Sequence, residues 1–207
     1  MLFTEAWARS FGISVEAMAP EVEGYTKPYA RSAEEIAVRT VILQGVVAVA
    51  SDVDAEPIVD WFRAQGIWPQ VAPEEKAFLQ DRAPTEAQCN KFAWHWEAQW
   101  ALLWCVGKVE ALGLPTQTCD TRRLCDEIMP PLGSDIADFL TSSKLRSPGT
   151  LLAEDDRTYD LWCRALACRR KGQALPDDLH WNVLYERRYA FEWLDGMQDW
   201  DVVTCDA

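Results

Sequence analysis

The chain lacks the surplus of basic residues that nucleic acids and anionic membranes attract. It carries 20 Lys and Arg residues against 33 Asp and Glu residues, a formal net charge of −13 at pH 7. Nucleic-acid binding needs a cationic surface that displaces counterions from the phosphates, and anionic lipid likewise attracts Lys and Arg. We therefore expect no nucleic-acid partner and no membrane partner. An acidic field instead speeds the encounter with basic partners.

Long apolar runs and targeting signals are also missing. The longest run, Val46–Ala50 preceded by Val41–Leu43, is too short to cross a bilayer, which needs about 20 residues. The opening residues Met1–Glu5 lack the basic and apolar regions of a secretory signal. The seven cysteines are odd in number and form no C-x-x-C pair, which indicates reduced thiols. These observations predict a cytoplasmic protein.

Motifs of the common catalytic sites are absent. The chain has no P-loop, no G-x-G-x-x-G, no G-x-S-x-G and no H-E-x-x-H. Its two histidines, His95 and His180, both adjoin tryptophan, which favours a packed aromatic role over a place in a catalytic triad. We predict no catalytic residue, and the pattern favours a non-catalytic protein. An enzyme whose catalytic pair assembles only in the fold stays open as an alternative.

Metal ligands and cofactor motifs are equally sparse. The pairs Cys119–Cys125 and Cys163–Cys168 do not have the spacing of a zinc site. The acidic segment Asp155–Asp160 lacks the glycine and the terminal Glu of a calcium loop. Placement in the first turn of a helix explains Asp155 and Asp156 better. We therefore predict no metal site and no cofactor.

What the sequence does have is apolar residues at helical spacing along most of its length. Caps, prolines and glycines mark where helices begin and end. Together they predict helices at Leu2–Phe11, from the Ser32/Glu35 capping box to Ser51, from Asp54 to Gly66, from Pro73, over 120–128 and 134–141, from Asp155 to Gly172 and from Pro176 to Gly196. They also predict an irregular surface arm over 12–31 and a loop-rich segment over 113–150. The chain ends in a short C-terminal tail in which Val202–Thr204 is a candidate strand.

The longest predicted helix is rich in tryptophan and runs from Thr85 to Leu112. Its apolar residues lie all round, with Trp96 on one side and Trp100 on the other, which is typical of a buried central helix. Eleven tryptophans and a 49% hydrophobic content are enough for one substantial core. We therefore predict an all-α fold, a single compact helical domain over residues 1–207 built around this helix.

Charged residues on apolar helix faces indicate a buried polar network. Glu97 lies on an apolar stripe of the central helix, and Arg187 lies on the apolar stripe of the last helix with Glu186 at its margin. A buried carboxylate must be paired or protonated. We therefore predict that Glu97 pairs with Arg187 or Arg188. Asp156 is the second candidate carboxylate for these arginines.

This cluster has two interpretations. One is a structural network of ion pairs that fixes the register of the helices. The other is a ligand site in which two arginines beside Tyr and Trp bind a carboxylate or phosphate in bidentate fashion. The candidate residues for either role are Glu97, Asp156, Tyr159, Glu186, Arg187, Arg188 and Trp193.

Several short motifs follow one another in order along the chain: Glu34-Glu35-Ile36-Ala37-x-Arg39, Trp94-x-x-Glu97, Leu102-Leu103-Trp104-x-x-Gly107, Asp156-x-x-Tyr159, Glu186-Arg187-Arg188-x-Ala190-x-x-Trp193-Leu194 and Trp200-Asp201-x-Val203-x-x-Asp206. In this order they resemble the bacterial family known as domain of unknown function 4272, over nearly the whole chain. The resemblance implies a single helical domain and names no activity. His95 and Asp160 stand where the family pattern has arginine.

Three classes of function fit these observations. The first is an acidic cytoplasmic binding protein, in its sharpest form an immunity-type inhibitor that neutralises a basic bacterial toxin or effector. The second is a scaffold or oligomer subunit, which would carry a large apolar patch at a symmetric interface. The third is an enzyme or small-ligand protein that uses Glu97, Tyr159, Arg187 and Trp193 around one pocket. The sequence leaves the oligomeric state and the identity of any partner open.

Overall fold

A computed structural model describes residues 29–175 and 178–205 of the chain. The described residues form helices joined by turns, with no strand among them. The expected helix Leu2–Phe11 and most of the expected arm over 12–31 lie outside the described residues. The helices are α1 (Ala33–Ala50), α2 (Ala55–Ala64), α3 (Pro73–Gln80), α4 (Glu86–Ala93), α5 (His95–Cys105), α6 (Ala137–Ser142), α7 (Pro148–Arg170) and α8 (Trp181–Leu194).

Local capping signals set the start of most of these helices. Ser32 and Glu35 form the predicted capping box of α1, and Asp54 caps α2. Thr85 caps α4 in the same manner. The predicted starts of these three helices are therefore confirmed. In the loop-rich segment, a helical turn at Thr121–Arg123 continues into a wider turn over Leu124–Ile128.

Helix α5 is the centre of the fold, because it packs against both α1 and α8. Most of its residues are buried, as an all-round apolar helix requires. Six of the eleven tryptophans are buried, and all six belong to one continuous core. The all-α fold class and the buried Trp-rich central helix are confirmed.

The central helix is shorter than predicted, because the segment from Thr85 to Leu112 is not one helix. It is interrupted at Trp94, where the Glu97 amide donates to the Trp94 carbonyl in a tighter turn. It ends at Cys105 in a local glycine cap, because Gly107 has a positive φ of 76° and the Gly107 and Lys108 amides donate to Trp104 O and Leu103 O. The Arg146 amide also donates to Cys105 O at 2.9 Å, and Arg146 Nε donates to Trp104 O at 2.6 Å.

The expected start of α7 at Asp155 is wrong. Ser147 caps this helix and Pro148 occupies its first turn, the position that a fixed φ favours in proline. Asp155 therefore lies in the helix interior, in phase with the buried residues Leu151 and Thr158. The 23-residue α7, and not the central helix, is the longest in the described chain.

The last helix also begins later than predicted. Pro176 and Asp177 lie outside the described residues, and Asp178 has a positive φ of 59°, which is not helical. The His180 amide donates to Pro115 O at 2.7 Å, so the chain is held extended until Trp181. After α8 the chain forms a 3-10 turn at Trp200–Val202 in place of the candidate strand.

None of the described helices is both long enough and apolar enough to span a membrane.

Candidate functional site

The predicted partner of Glu97 is Arg187. Arg187 Nη2 lies 3.4 Å from Glu97 Oε2, and the two side chains are 5% and 1% exposed. Arg187 Nη1 also donates to Gly113 O at 2.9 Å, and the Cys119 amide donates to Glu97 Oε1. Burial lowers the pKa of Arg187, while the neighbouring carboxylates of Glu97 and Glu154 oppose that shift. The pair joins α8 to α5 through charge-assisted hydrogen bonds.

Arg188 contacts a different helix, α7. Its Nη1 lies 2.5 Å from Asp155 Oδ1 on α7, its Nη2 bonds Glu192 one turn further along α8, and its guanidinium stacks 4.9 Å from the Tyr159 ring centroid. Tyr29 OH donates to the second oxygen of Asp155 at 3.1 Å. The expected participation of Asp156 is replaced by that of Asp155. Because α7 begins at Pro148, Asp155 faces inward and Asp156 is exposed.

Glu186 is paired with a residue that the sequence did not single out as a partner. Its Oε2 lies 2.8 Å from His95 Nδ1, and both side chains are under 10% exposed. An ionised carboxylate can only accept, so the imidazole donates from Nδ1. One signal was present in the sequence, since Glu186 lies at the margin of an apolar helix stripe and a buried carboxylate needs a partner.

A second buried pair was missed. Arg39 Nη2 lies 2.5 Å from Glu75 Oε2, and the two side chains are 4% and 0% exposed. The Ala72 amide donates to the same carboxylate oxygen at 3.0 Å, and the guanidinium stacks 4.8 Å from the Trp200 ring centroid. A signal for it existed, because Arg39 lies one turn after Ile36 on an otherwise apolar helix. The partner on α3 could not be chosen from sequence.

The candidate residues therefore do not converge on one pocket. Neighbouring residues on a helix point about 100° apart, so Arg187 reaches α5 while Arg188 reaches α7. Trp193 lies elsewhere, stacked 4.7 Å from the guanidinium of Arg31. Two pairs join α8 to α5, one joins α8 to α7 and one joins α1 to α3, and this arrangement suits a network that fixes how the helices pack.

A cavity of about 220 Å³ lies beside the His95–Glu186 pair. Its walls are aromatic, and the exposed ion pair of Glu74 with Lys91 stands at its edge. Within the described ranges, no group of three or more His, Cys, Asp and Glu side chains is placed to hold a metal ion.

The charged residues buried in the described chain are five carboxylates, three arginines and His95, so most of its acidic residues lie outside the core. One exposed concentration covers two segments, 51–66 and 120–138, which together hold nine acidic and three basic residues. The segments adjoin: Trp61 Nε1 donates to Ser134 O at 2.7 Å, and the Ile136 amide donates to Gln65 Oε1 at 3.3 Å. We call this region the acidic surface. Its exposed carboxylates are Asp52, Asp54, Glu56, Asp60, Asp120, Asp126, Glu127, Asp135 and Asp138.

The acidic surface also carries exposed apolar side chains. Val53 is 40% exposed and Leu132 is 41% exposed. Three of its acids are partly balanced by neighbours, since Asp60 lies 3.2 Å from Arg63, Asp126 lies 3.6 Å from Arg122 and Glu127 lies 3.7 Å from Arg123. Exposed pairs of this kind contribute little to stability. The region can therefore offer both carboxylates and apolar contact to a partner.

The fold and its paired charges define an all-α domain whose buried ionic groups are matched internally. The chain belongs to the family described as Domain of unknown function (DUF4272), whose model matches residues 3–203, nearly the whole sequence. The resemblance found in the motifs is thereby confirmed. No curated protein and no solved structure matches the chain.

Proposed function

We propose that this chain is a non-catalytic cytoplasmic binding protein, an immunity-type inhibitor that binds and neutralises a basic bacterial toxin or effector. The observation that carries the proposal is the separation of charge between inside and outside. The buried arginines are matched by Glu97, Asp155 and Glu75. Most carboxylates of the described chain lie outside the core and can face a partner, in a chain whose formal net charge is −13.

The acidic surface is the docking site in this proposal. Its partner is a protein with a cationic cleft, since charge complementarity steers encounter and excludes wrong partners. Val53 and Leu132 would supply the apolar contact that an interface needs near its centre. A nuclease toxin fits this chemistry, because its own cleft must be cationic to hold nucleic acid.

The test begins with an affinity pull-down from the native cytosol, read by mass spectrometry. We expect one basic protein in stoichiometric amount, released by high salt because the attraction is electrostatic. That protein, expressed alone, should arrest growth, and co-expression of this chain should restore growth. A retained partner that is harmless when expressed alone, or an arrest that co-expression does not relieve, would refute the proposal.

A matched pair of variants then tests the docking surface. The double variant Asp60→Asn/Asp126→Asn removes two charges from the acidic surface. The double variant Glu34→Gln/Glu110→Gln removes two exposed charges outside it. We expect the first to slow association by about three- to tenfold and to weaken its salt dependence. The second should have a much smaller effect. Equal effects would show that only net charge matters and would place docking elsewhere.

A further inference from the structure

The largest cavity described here lies away from the acidic surface. It has a volume of about 430 Å³ and is enclosed by the first turns of α1, the residues that lead into α3, and the C-terminal 3-10 turn. Cavities that hold small molecules in proteins start at about 300 Å³. Its walls are mostly apolar or aromatic, formed by Val38, Ile42, Pro69, Val71, Ala72, Pro73, Trp193 and Trp200.

Arg39 forms the inner wall of this cavity. It is 4% exposed, yet its single hydrogen bond within the described chain is the one from Nη2 to Glu75. A guanidinium has five N–H donors, and Nε of Arg39 is buried without a partner in the described chain. Arg187 and Arg188 also have a buried Nε without a partner in the described chain, but each bonds two groups through its Nη atoms. A buried cation with unused donors at the wall of a cavity favours an anionic occupant.

Two further cations and two acids lie nearer the mouth. Arg31 is held in place by a bond to Gln198 O at 2.8 Å, and Lys76 donates to Pro69 O at 3.2 Å. The acids Glu35 and Asp199 are exposed. Water screens charges at the mouth more strongly than a charge in the interior. The inner end of the cavity therefore offers the hydrogen-bond donors of a guanidinium whose charge Glu75 matches, and Lys76 supplies a further positive charge.

We propose that this cavity binds a small organic carboxylate that carries a flat apolar group. The carboxylate lies against the free N–H groups of Arg39, and the Lys76 ammonium provides the positive charge that balances it. The apolar group packs on Trp193 and Trp200. Nothing in this proposal depends on the acidic surface or on a toxin partner. The site is also distinct from the cluster of Arg187 and Arg188 that the sequence analysis considered for an anion.

The test is isothermal titration calorimetry of the full chain with three probes. Phenylacetate should bind saturably with 1:1 stoichiometry and a Kd of about 1 mM, the order expected for a fragment of this size. Phenylacetamide has the same shape without the charge and should bind at least about tenfold more weakly, as should inorganic phosphate, which lacks the apolar group. The proposal would be overturned if phenylacetate did not bind saturably. It would also be overturned if phenylacetamide or inorganic phosphate bound as tightly as phenylacetate.

Three variants locate the site. Lys76→Gln removes a cation from the mouth and should weaken phenylacetate binding by about three- to tenfold. Val38→Phe fills the cavity and should abolish binding, provided that thermal unfolding shows it folded. Lys91→Gln is the matched control, because this exposed lysine pairs with Glu74 outside the cavity, and its Kd should match the wild type. Should Val38→Phe fail to fold, an unchanged Kd in Lys76→Gln alone is sufficient to reject the site.

Discussion

Arg187 on α8 and Glu97 on α5 are each other's charge partners in the interior, with Nη2 of the arginine 3.4 Å from Oε2 of the glutamate. Replacing one member leaves the other charge buried and unpaired, which costs about 3–5 kcal/mol. We therefore expect Arg187→Met to lower the free energy of unfolding in urea by about that amount. Whole domains are stable by only about 5–15 kcal/mol, so this variant should be close to unfolding.

A double variant separates the loss of a partner from the loss of packing. Arg187→Met/Glu97→Gln removes both charges and keeps the side-chain volumes close to their original values. We expect it to recover at least about half of the lost stability, since a buried pair is often replaceable by neutral groups. A double variant as unstable as the sum of the two single variants would show that the charges do not interact in the folded state.

This pair also shows which contacts can be predicted from the sequence. Helical periodicity placed Glu97 and Arg187 on apolar stripes, and the rule that buried charges must be matched then joined them. The same reasoning does not find the partner of Arg188, because the sequence assigns Asp155 to the first turn of α7 as a helix-start residue, whereas the true cap is Ser147. Inside the helix Asp155 is in phase with the buried residues Leu151 and Thr158, and it pairs with Arg188.

Other features depend on contacts between distant segments, which no local pattern encodes. The carbonyls at the end of α5 accept from Arg146, a residue about 40 positions further along the chain. The pair of Arg39 with Glu75 joins residues 36 positions apart. A sequence shows that Arg39 needs a partner, but only the fold shows which carboxylate is near.

The packing of α1 against α2 depends on Gly45. A Cβ at this position would lie 2.7 Å from Ile58 Cγ2 and would also meet the ring of Phe62. We expect Gly45→Ala to destabilise the protein by about 1–2 kcal/mol, because overpacking outweighs the better helix propensity of alanine. Gly149→Ala is the control: it lies in the first turn of α7 with open space around it, and it should be neutral or slightly stabilising. Urea unfolding of both variants measures the difference.

Asp201 makes stability depend on pH. Partial burial raises its pKa, and the carboxylates of Glu75 and Glu74 raise it further. Because the pKa in the folded state lies above that in the unfolded state, the folded chain binds more protons between the two values. The contribution of Asp201 to stability therefore falls as pH rises through that window. At neutral pH its charge is destabilising.

Asp201→Asn should remove this effect while keeping an oxygen that accepts from the Glu74 amide, a bond of 2.7 Å in the wild type. We expect Tm to rise by about 1–2 °C at neutral pH and the gain to vanish below about pH 3, where Asp201 is protonated in both states. Calorimetric scans from acidic to neutral pH measure the difference. Asp199→Asn, at an exposed neighbour, should show no such pH-dependent gain. A gain in Asp201→Asn that persists in acid would contradict the assignment.

The cysteines should differ in reactivity according to burial, because only the thiolate is nucleophilic. Burial raises the pKa of Cys105 and Cys119 strongly, whereas Cys125 is exposed and its pKa is raised by partial desolvation and by Asp126. We expect iodoacetamide to label Cys125 well before Cys105 or Cys119, as read by peptide mass spectrometry.

The pH dependence of that labelling is the sharper measurement. At pH values below the pKa of Cys125, its labelling rate should rise about tenfold for each pH unit. The rate should level off only at a pH above about 8.5, the ordinary pKa of a free cysteine. In denaturant the seven cysteines should label at similar rates, which serves as the control. Native-state labelling of Cys105 as fast as Cys125 would mean that the end of α5 opens readily, contrary to the capture of its carbonyls by the Arg146 segment.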